Sequence, residues 1–178
     1  MIEPEPDWLG PRVFFDISIA EKVIGRVVIE LRPDICPRAS ENFRQFCTGE
    51  YQPKGVPIGY KGTKFHRSIP GFIIQGGDCE FKNGEGNISI YGRDFDDEPS
   101  AYIFSEPGIV ALANSGPNTN GCQFFINLSA VEQLDGNYVT IGRVVDGMFV
   151  IRQLEAVRLK PYTEIPVYDC VVSECGEL

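Results

Sequence analysis

The chain has 178 residues, 43% of them hydrophobic, and a net charge of −9, which fits one globular domain able to bury a core without staples. An acidic chain lacking a dense Lys/Arg run cannot displace the counterions of a row of phosphates, and no apolar stretch reaches the ~20 residues that cross a bilayer, so direct nucleic-acid and membrane binding are not expected. The six cysteines form no Cys-x-x-Cys pair and there is one histidine; no metal site and no cofactor are expected.

Residues 1–11 read as an acidic, proline-containing tail in which Trp8 and Leu9 are the apolar members, followed by a domain over 12–178. The tail lacks the basic and apolar regions of a signal peptide. The expectation is a nuclear or cytoplasmic protein, not a secreted one, with reduced thiols. Residues 13–19 and 23–31 alternate in polarity as strands do, and the short 20–22 link makes them a hairpin. A helix follows, with Pro37 in its first turn and Gly49 at its exit; Ala39, Phe43, Phe46 and Cys47 share its apolar face.

After a loop over 50–62, short strands are predicted near 64–66, 72–75, 109–113, 122–128 and 139–144, separated by glycine-rich loops over 76–87 and 114–121. A second helix is predicted over 146–157, with Met148, Val150, Ile151 and Leu154 inward, and a last strand over 167–173. Phe14, Phe15, Phe43, Phe46, Phe65 and Phe124 are predicted core residues, and Phe125 points to the face opposite Phe124. Eight short strands and two helices predict a mainly β fold, a closed eight-stranded antiparallel barrel capped by two α-helices. The acidic run 94–98 does not match a calcium-loop spacing and reads as a solvated turn; Gly84-Glu85-Gly86 lacks the lysine of a phosphate cradle.

Two long segments carry the chemistry. One is Phe65-His66-Arg67-Ser68-Ile69-Pro70-Gly71-Phe72-Ile73-Ile74-Gln75-Gly76-Gly77-Asp78; the other is Ala113-Asn114-Ser115-Gly116-Pro117-Asn118-Thr119-Asn120-Gly121-Cys122-Gln123-Phe124-Phe125-Ile126. With Val13-Phe14-Phe15-Asp16, Glu41-Asn42-Phe43, Thr48-Gly49-Glu50 and Leu134-Asp135-Gly136, they closely resemble the signature motifs of the cyclophilins over nearly the whole chain. The extended loop Gly55-Val56-Pro57-Ile58-Gly59-Tyr60-Lys61-Gly62 and the ending Glu174-Cys175-Gly176-Glu177-Leu178 are most similar to the cyclophilin H branch, which is associated with spliceosomal small nuclear ribonucleoprotein.

The resemblance implies prolyl cis–trans isomerisation. Rotation about the bond before proline breaks no covalent bond, so it requires no nucleophile, metal or cofactor. It requires a pocket for the ring and polar groups that favour the twisted amide. The resemblance makes Arg67 the catalytic donor and sets Phe72, Ile73, Phe125 and Leu134 around the ring. Gln75 and Asn114 match positions that bond the peptide backbone, Ala113 and Gln123 match further wall positions, and Gly84 matches a position near the residue two before the proline. His66 is expected to be structural, because no proton is transferred.

Two pocket positions depart from the commonest family pattern: Gln133 stands where many cyclophilins have Trp, and Tyr138 where many have His. Loss of the indole predicts weaker cyclosporin binding with isomerisation retained. Expected partners are proline-containing peptides and proteins, cyclosporin at reduced affinity, and a small nuclear ribonucleoprotein protein docked on the loop from Tyr51 to Tyr60. The chain is expected to be a monomer. A proline-peptide binding module or spliceosomal scaffold with incidental catalysis is the alternative.

Overall fold

Alternating polarity at the start of the chain becomes a hairpin in the computed structural model, which describes residues 10–178. The expected tail over 1–11, with Trp8, therefore lies outside the described residues except for Gly10 and Pro11. Strand β1 (Arg12–Ile19) pairs antiparallel with β2 (Lys22–Leu31), register Val13 to Ile29. Val13, Phe15 and Ile17 are fully buried. Phe14, expected in the core, lies half-buried on the other face, where the Arg26 guanidinium stacks 3.9 Å from its ring centroid and bonds Asp16 at 2.7 and 3.0 Å. The connecting turn is two residues, Ala20 and Glu21, both at positive φ (49° and 69°). That is the twist a two-residue hairpin turn demands, supplied here without glycine.

Helix α1 (Pro37–Thr48) begins with Pro37 and ends at Gly49 in the left-handed region (φ 79°). It buries Ala39, Phe43, Phe46 and Cys47. No side chain of its own caps the first turn. The Glu98 carboxylate does so instead, accepting from Ala39 N at 2.6 Å and Arg38 N at 3.2 Å. Two orphan amides at the positive end of the helix thus meet an anion. The acidic run is therefore more than a solvated turn: Asp97 also accepts from Asn118 N at 3.2 Å and Asn120 Nδ2 at 2.8 Å.

The remaining strands are β3 (Arg67–Ile69), β4 (Ile73–Gly76), β5 (Ile109–Leu112), β6 (Phe124–Asn127), β7 (Thr140–Asp146) and β8 (Cys170–Glu177). Helix α2 (Met148–Glu155) is shorter than the predicted 146–157. It starts late because Gly147 is left-handed at φ 85° and a Cβ there would lie 2.0 Å from Arg26 O.

All pairings are antiparallel, in the order β3-β4-β6-β5-β7-β2-β1-β8. The expected eight strands and two helices are present, but the expected closure is not: the ladder is open, with β3 and β8 at its edges. The cause lies just before β3. Residues predicted as a strand at 64–66 run beside β8 without becoming one, through Phe65 N to Cys170 O (2.8 Å) and an isolated bridge of Lys64 with Val171. β3 then turns its outer edge to another segment, Ser68 N donating to Glu164 O at 2.7 Å.

The main core is aromatic. Phe15, Phe43, Tyr60 and Phe124 pack with ring centroids 5.1–5.9 Å apart, separations at which aromatic pairs attract beyond their buried area. Tyr60 Oη donates to Cys122 O at 2.7 Å, so its hydroxyl is buried with a partner. Strand β6 divides the interior: Phe124 belongs to this core, while its neighbour Phe125 belongs to a second cluster with Ile73, Phe104, Ile109, Ala111 and Val131. All six cysteines are free. Burial pushes the Cys36, Cys170 and Cys175 thiols up to about 11, which keeps them protonated and unreactive.

Candidate active site

The second cluster floors a surface cavity of about 230 Å³ lined by Arg67, Phe72, Ile73, Gln75, Ala113, Asn114, Phe125, Leu134 and Tyr138. β3 delivers Arg67, β4 delivers Ile73 and Gln75, and β6 delivers Phe125. Arg67 and Gln75 are direct cross-strand partners, as are Gln75 and Phe125. The outward residues of three neighbouring strands thus line up on one face, the spacing a pleated sheet provides. Phe104 stacks on Phe125 (5.7 Å, 15°) and Tyr138 meets it edge-on (5.0 Å, 86°). Two rings therefore fix the wall residue from different sides.

A polar row crosses the rim. Arg67 Nη1 donates to Gln75 Oε1 at 3.4 Å, Gln75 Nε2 donates to Gln123 Oε1 at 3.0 Å, and Gln123 Nε2 donates to the Gly84 and Gly86 oxygens at 2.8 Å each. Gln75 is engaged at both ends, so a peptide that bonds it must share or replace one of these contacts. The side-chain amide of Asn114 is likewise used, Nδ2 donating to Asn137 O at 2.9 Å.

Gly84, Ala113, Asn114 and Gln123 line an adjoining cavity of about 200 Å³ with Gln75. The loop that forms one side of it is organised by Asp78, which is 1% exposed. Its carboxylate accepts from the amides of Glu80, Phe81, Asn83, Gly84 and Gly86 at 2.8–3.1 Å. Burial alone would raise its pKa; the amides of Phe81, Asn83, Gly86 and Gly84 outweigh that and hold it at about 2. Gly84 (φ 93°) faces the His66 ring, and a Cβ there would stand 2.7 Å from His66 Cδ2, so only glycine fits. Burial, partly offset by a bond with the Lys64 backbone, pushes His66 below the usual histidine range. A neutral, packed ring suits a structural residue.

Of the pocket residues that the resemblance implies, Gln133 is the one outside both cavities: it is exposed on a short 3-10 turn, Glu132–Leu134, whose Leu134 does face the Arg67 cavity. Glu164 was not singled out, yet its carboxylate accepts from Arg67 Nε. Its only trace in sequence is a lone glutamate between Thr163 and Ile165, in a segment no motif covers. Among the described residues no group of three or more His, Cys, Asp or Glu side chains could hold a metal ion. No helix among them is long and apolar enough to cross a membrane.

Comparison with known proteins agrees in one direction. The profile of the family described as cyclophilin type peptidyl-prolyl cis-trans isomerase/CLD matches residues 14–177. The chain is 47% identical over 174 residues to peptidyl-prolyl cis-trans isomerase CYP22 of Arabidopsis thaliana, covering 97% of this chain and 87% of that protein. It is 48% identical over 169 residues to peptidyl-prolyl cis-trans isomerase H of Rhizopus delemar, covering 94% of each.

Proposed function

The chain belongs to the cyclophilin-type peptidyl-prolyl cis–trans isomerases, and from that premise we propose that Arg67 is the group that accelerates rotation of the X–Pro bond, with the ring held by Phe72, Ile73, Phe125 and Leu134. The observation that carries this is the guanidinium beside Phe72, Ile73, Phe125 and Leu134 in one cavity, with Phe125 backed by the buried Phe104 ring. Amide resonance sets a barrier of ~18–20 kcal/mol. As the bond twists, the proline nitrogen regains its lone pair and becomes a hydrogen-bond acceptor. A fixed cationic donor then gains a bond that the planar ground state does not offer, worth about 1.5–3 kcal/mol net in the open and more where apolar walls exclude water. Gln75 holds Arg67, Gln123 holds Gln75, and the Asp78 loop presents the carbonyls that hold Gln123. Ala113, Asn114 and Gly84 border the path of the residues before the proline, and Tyr138 completes the wall.

The test is isomerisation of a proline-containing tetrapeptide by the wild-type chain and Arg67→Ala. We expect kcat/KM to fall by about 10²-fold, the upper reach of one charge-assisted bond; a variant within twofold of wild type would remove Arg67 from this role.

A second part of the proposal is association with a splicing complex, in the nucleus or cytoplasm and as a monomer. Its support is the likeness to the H branch and the loop from Tyr51 to Tyr60. Gln52, Pro57, Ile58 and Gly59 of that loop line a cavity of about 640 Å³ with Cys47, Lys61, Glu174 and Cys175, and none of its lining is shared with the Arg67 cavity. A partner protein held there leaves catalysis free. Capture from a splicing-competent extract should lose small nuclear ribonucleoprotein when residues 51–58 are deleted; unchanged capture counts against this surface. Cyclosporin is expected to bind weakly, because Gln133 brings no aromatic surface.

A further inference from the structure

Arg67 has a second acceptor besides Gln75. The Glu164 carboxylate takes the Nε–H, while Gln75 Oε1 takes an Nη1–H at 3.4 Å. The backbone oxygen of the same glutamate accepts from Ser68 N at 2.7 Å, the residue beside Arg67 on β3. One loop residue therefore grips the edge strand by its main chain and the guanidinium by its side chain.

β3 needs that grip, since it is three residues long and paired with a strand on one side alone. The loop is itself braced. Lys160 N donates to Ile165 O at 2.8 Å, Val167 N to Arg158 O at 2.8 Å and Thr163 N to Lys160 O at 3.1 Å. Glu164 thus projects from a tied loop and not from a free arm. Arg67 and Gln75 line both the Phe125 cavity and a broader groove of about 1030 Å³ that contains Glu164. The ion pair stands at the border of the two.

The Arg67 and Glu164 side chains are 43% and 48% exposed, and ion pairs at such exposure add little to stability. Geometry is what the pair supplies. A guanidinium held at Nε by one acceptor and at one terminal nitrogen by another has its plane fixed, and its remaining N–H groups stay available to a peptide.

We propose that Glu164 is a positioning residue for prolyl isomerisation, fixing the plane of the Arg67 guanidinium against the rotating bond. The proposal rests on the reading of Arg67 given above. Loss of the carboxylate leaves Arg67 held through one terminal nitrogen by Gln75 alone, so its plane can turn; turnover falls while peptide binding by the apolar wall residues persists.

The experiment compares kcat and KM for a proline-containing tetrapeptide in wild type, Glu164→Ala, Glu164→Gln and Arg67→Ala, with the exchange of the Arg67 Nε–H followed by nitrogen-15 NMR. Glu164→Ala is expected to lower kcat about tenfold with KM within about twofold, the pattern of misplaced catalytic geometry. Glu164→Gln keeps an acceptor oxygen and is expected to stay within about threefold of wild-type kcat. The Nε–H should exchange faster in Glu164→Ala. In Glu164→Gln, where a neutral acceptor replaces the carboxylate, it should exchange at an intermediate rate; that reading stands even if the alanine variant fails to fold.

A purely structural role would shift the melting temperature and leave kcat alone. Wild-type kcat in Glu164→Ala beside an impaired Arg67→Ala overturns this inference and spares the role of Arg67. Wild-type activity in Arg67→Ala overturns both. An Nε–H that exchanges as fast in the wild-type chain as in Glu164→Gln or Glu164→Ala also overturns the inference.

Discussion

Gln75 and Arg67 sit opposite one another on β4 and β3, and the glutamine oxygen lies 3.4 Å from the Arg67 Nη1 nitrogen. The other end of the same amide donates to Gln123 at 3.0 Å. Removing the amide takes away one of the two acceptors of Arg67 and leaves the Gln123 oxygen without its donor. Gln75→Leu is therefore expected to lower kcat/KM for a prolyl peptide about tenfold, consistent with loss of one oriented donor. Gln75→Glu keeps an acceptor for Arg67 and should lose less. A leucine variant as active as wild type would show that Arg67 is oriented without it.

Gln133 offers the converse experiment. It is exposed and lines neither cavity beside Arg67. Gln133→Trp supplies a large apolar surface and an indole donor, so cyclosporin affinity measured by calorimetry should rise at least about tenfold, the yield of one well-placed aromatic contact. Tetrapeptide turnover should remain within about twofold, because the Arg67 network is untouched.

The Glu98 carboxylate on the α1 amides can be tested by stability alone. Glu98→Ala leaves the Arg38 and Ala39 amides without that acceptor, and the loss of a helix cap costs about 0.5–2 kcal/mol. Urea unfolding should show a lower midpoint with an unchanged slope. Glu98→Gln keeps one acceptor but no charge and should fall between the two.

Asp78 fixes an acid limit. Its pKa is about 2 in the fold and ~3.9 in an unfolded chain. The carboxylate is thus favoured by folding, and its contribution is complete above about pH 4 and lost as pH falls through 2. On the order of 2 kcal/mol should disappear across that window. Asp78→Asn places an amide donor among backbone N–H donors, so denaturant titrations should show lower stability at pH 7 and a flatter decline below pH 4.

Much of this was legible in sequence wherever the signal was local. Pro37, Gly49 and the spacing of Ala39, Phe43 and Phe46 marked α1 within a residue. Alternation marked β1 and β2, although it could not tell that Phe14 would face an arginine and not the core. Less local features escaped. Pattern predicts a strand over 64–66, and those residues do run beside β8; what makes 67–69 the strand is its pairing with β4, which polarity does not encode. The open edge has the same origin: Phe65 meets β8 outside a strand and Ser68 donates to Glu164, pairings that polarity does not encode. Motif positions brought Arg67, Phe72, Ile73, Phe125 and Leu134 to one cavity but could not say that Gln133 stands outside it. Glu164 lies 97 positions from Arg67, in a stretch without periodicity, so nothing local could pair them.

The seam between β3 and β8 also sets how the molecule breathes. Phe65 and Ser68 donate their amides to Cys170 and Glu164, outside any strand ladder, whereas Val28 and Ile29 lie in a strand paired on both sides. Bonds outside a ladder are expected to open at lower cost than those in a strand paired on both sides. Deuterium will enter at Phe65 and Ser68 long before it reaches Val28 or Ile29. The strand that carries Arg67 thus rests on one ladder and on the bond from Ser68 to Glu164, so its alignment can be lost without disturbing the core beneath it.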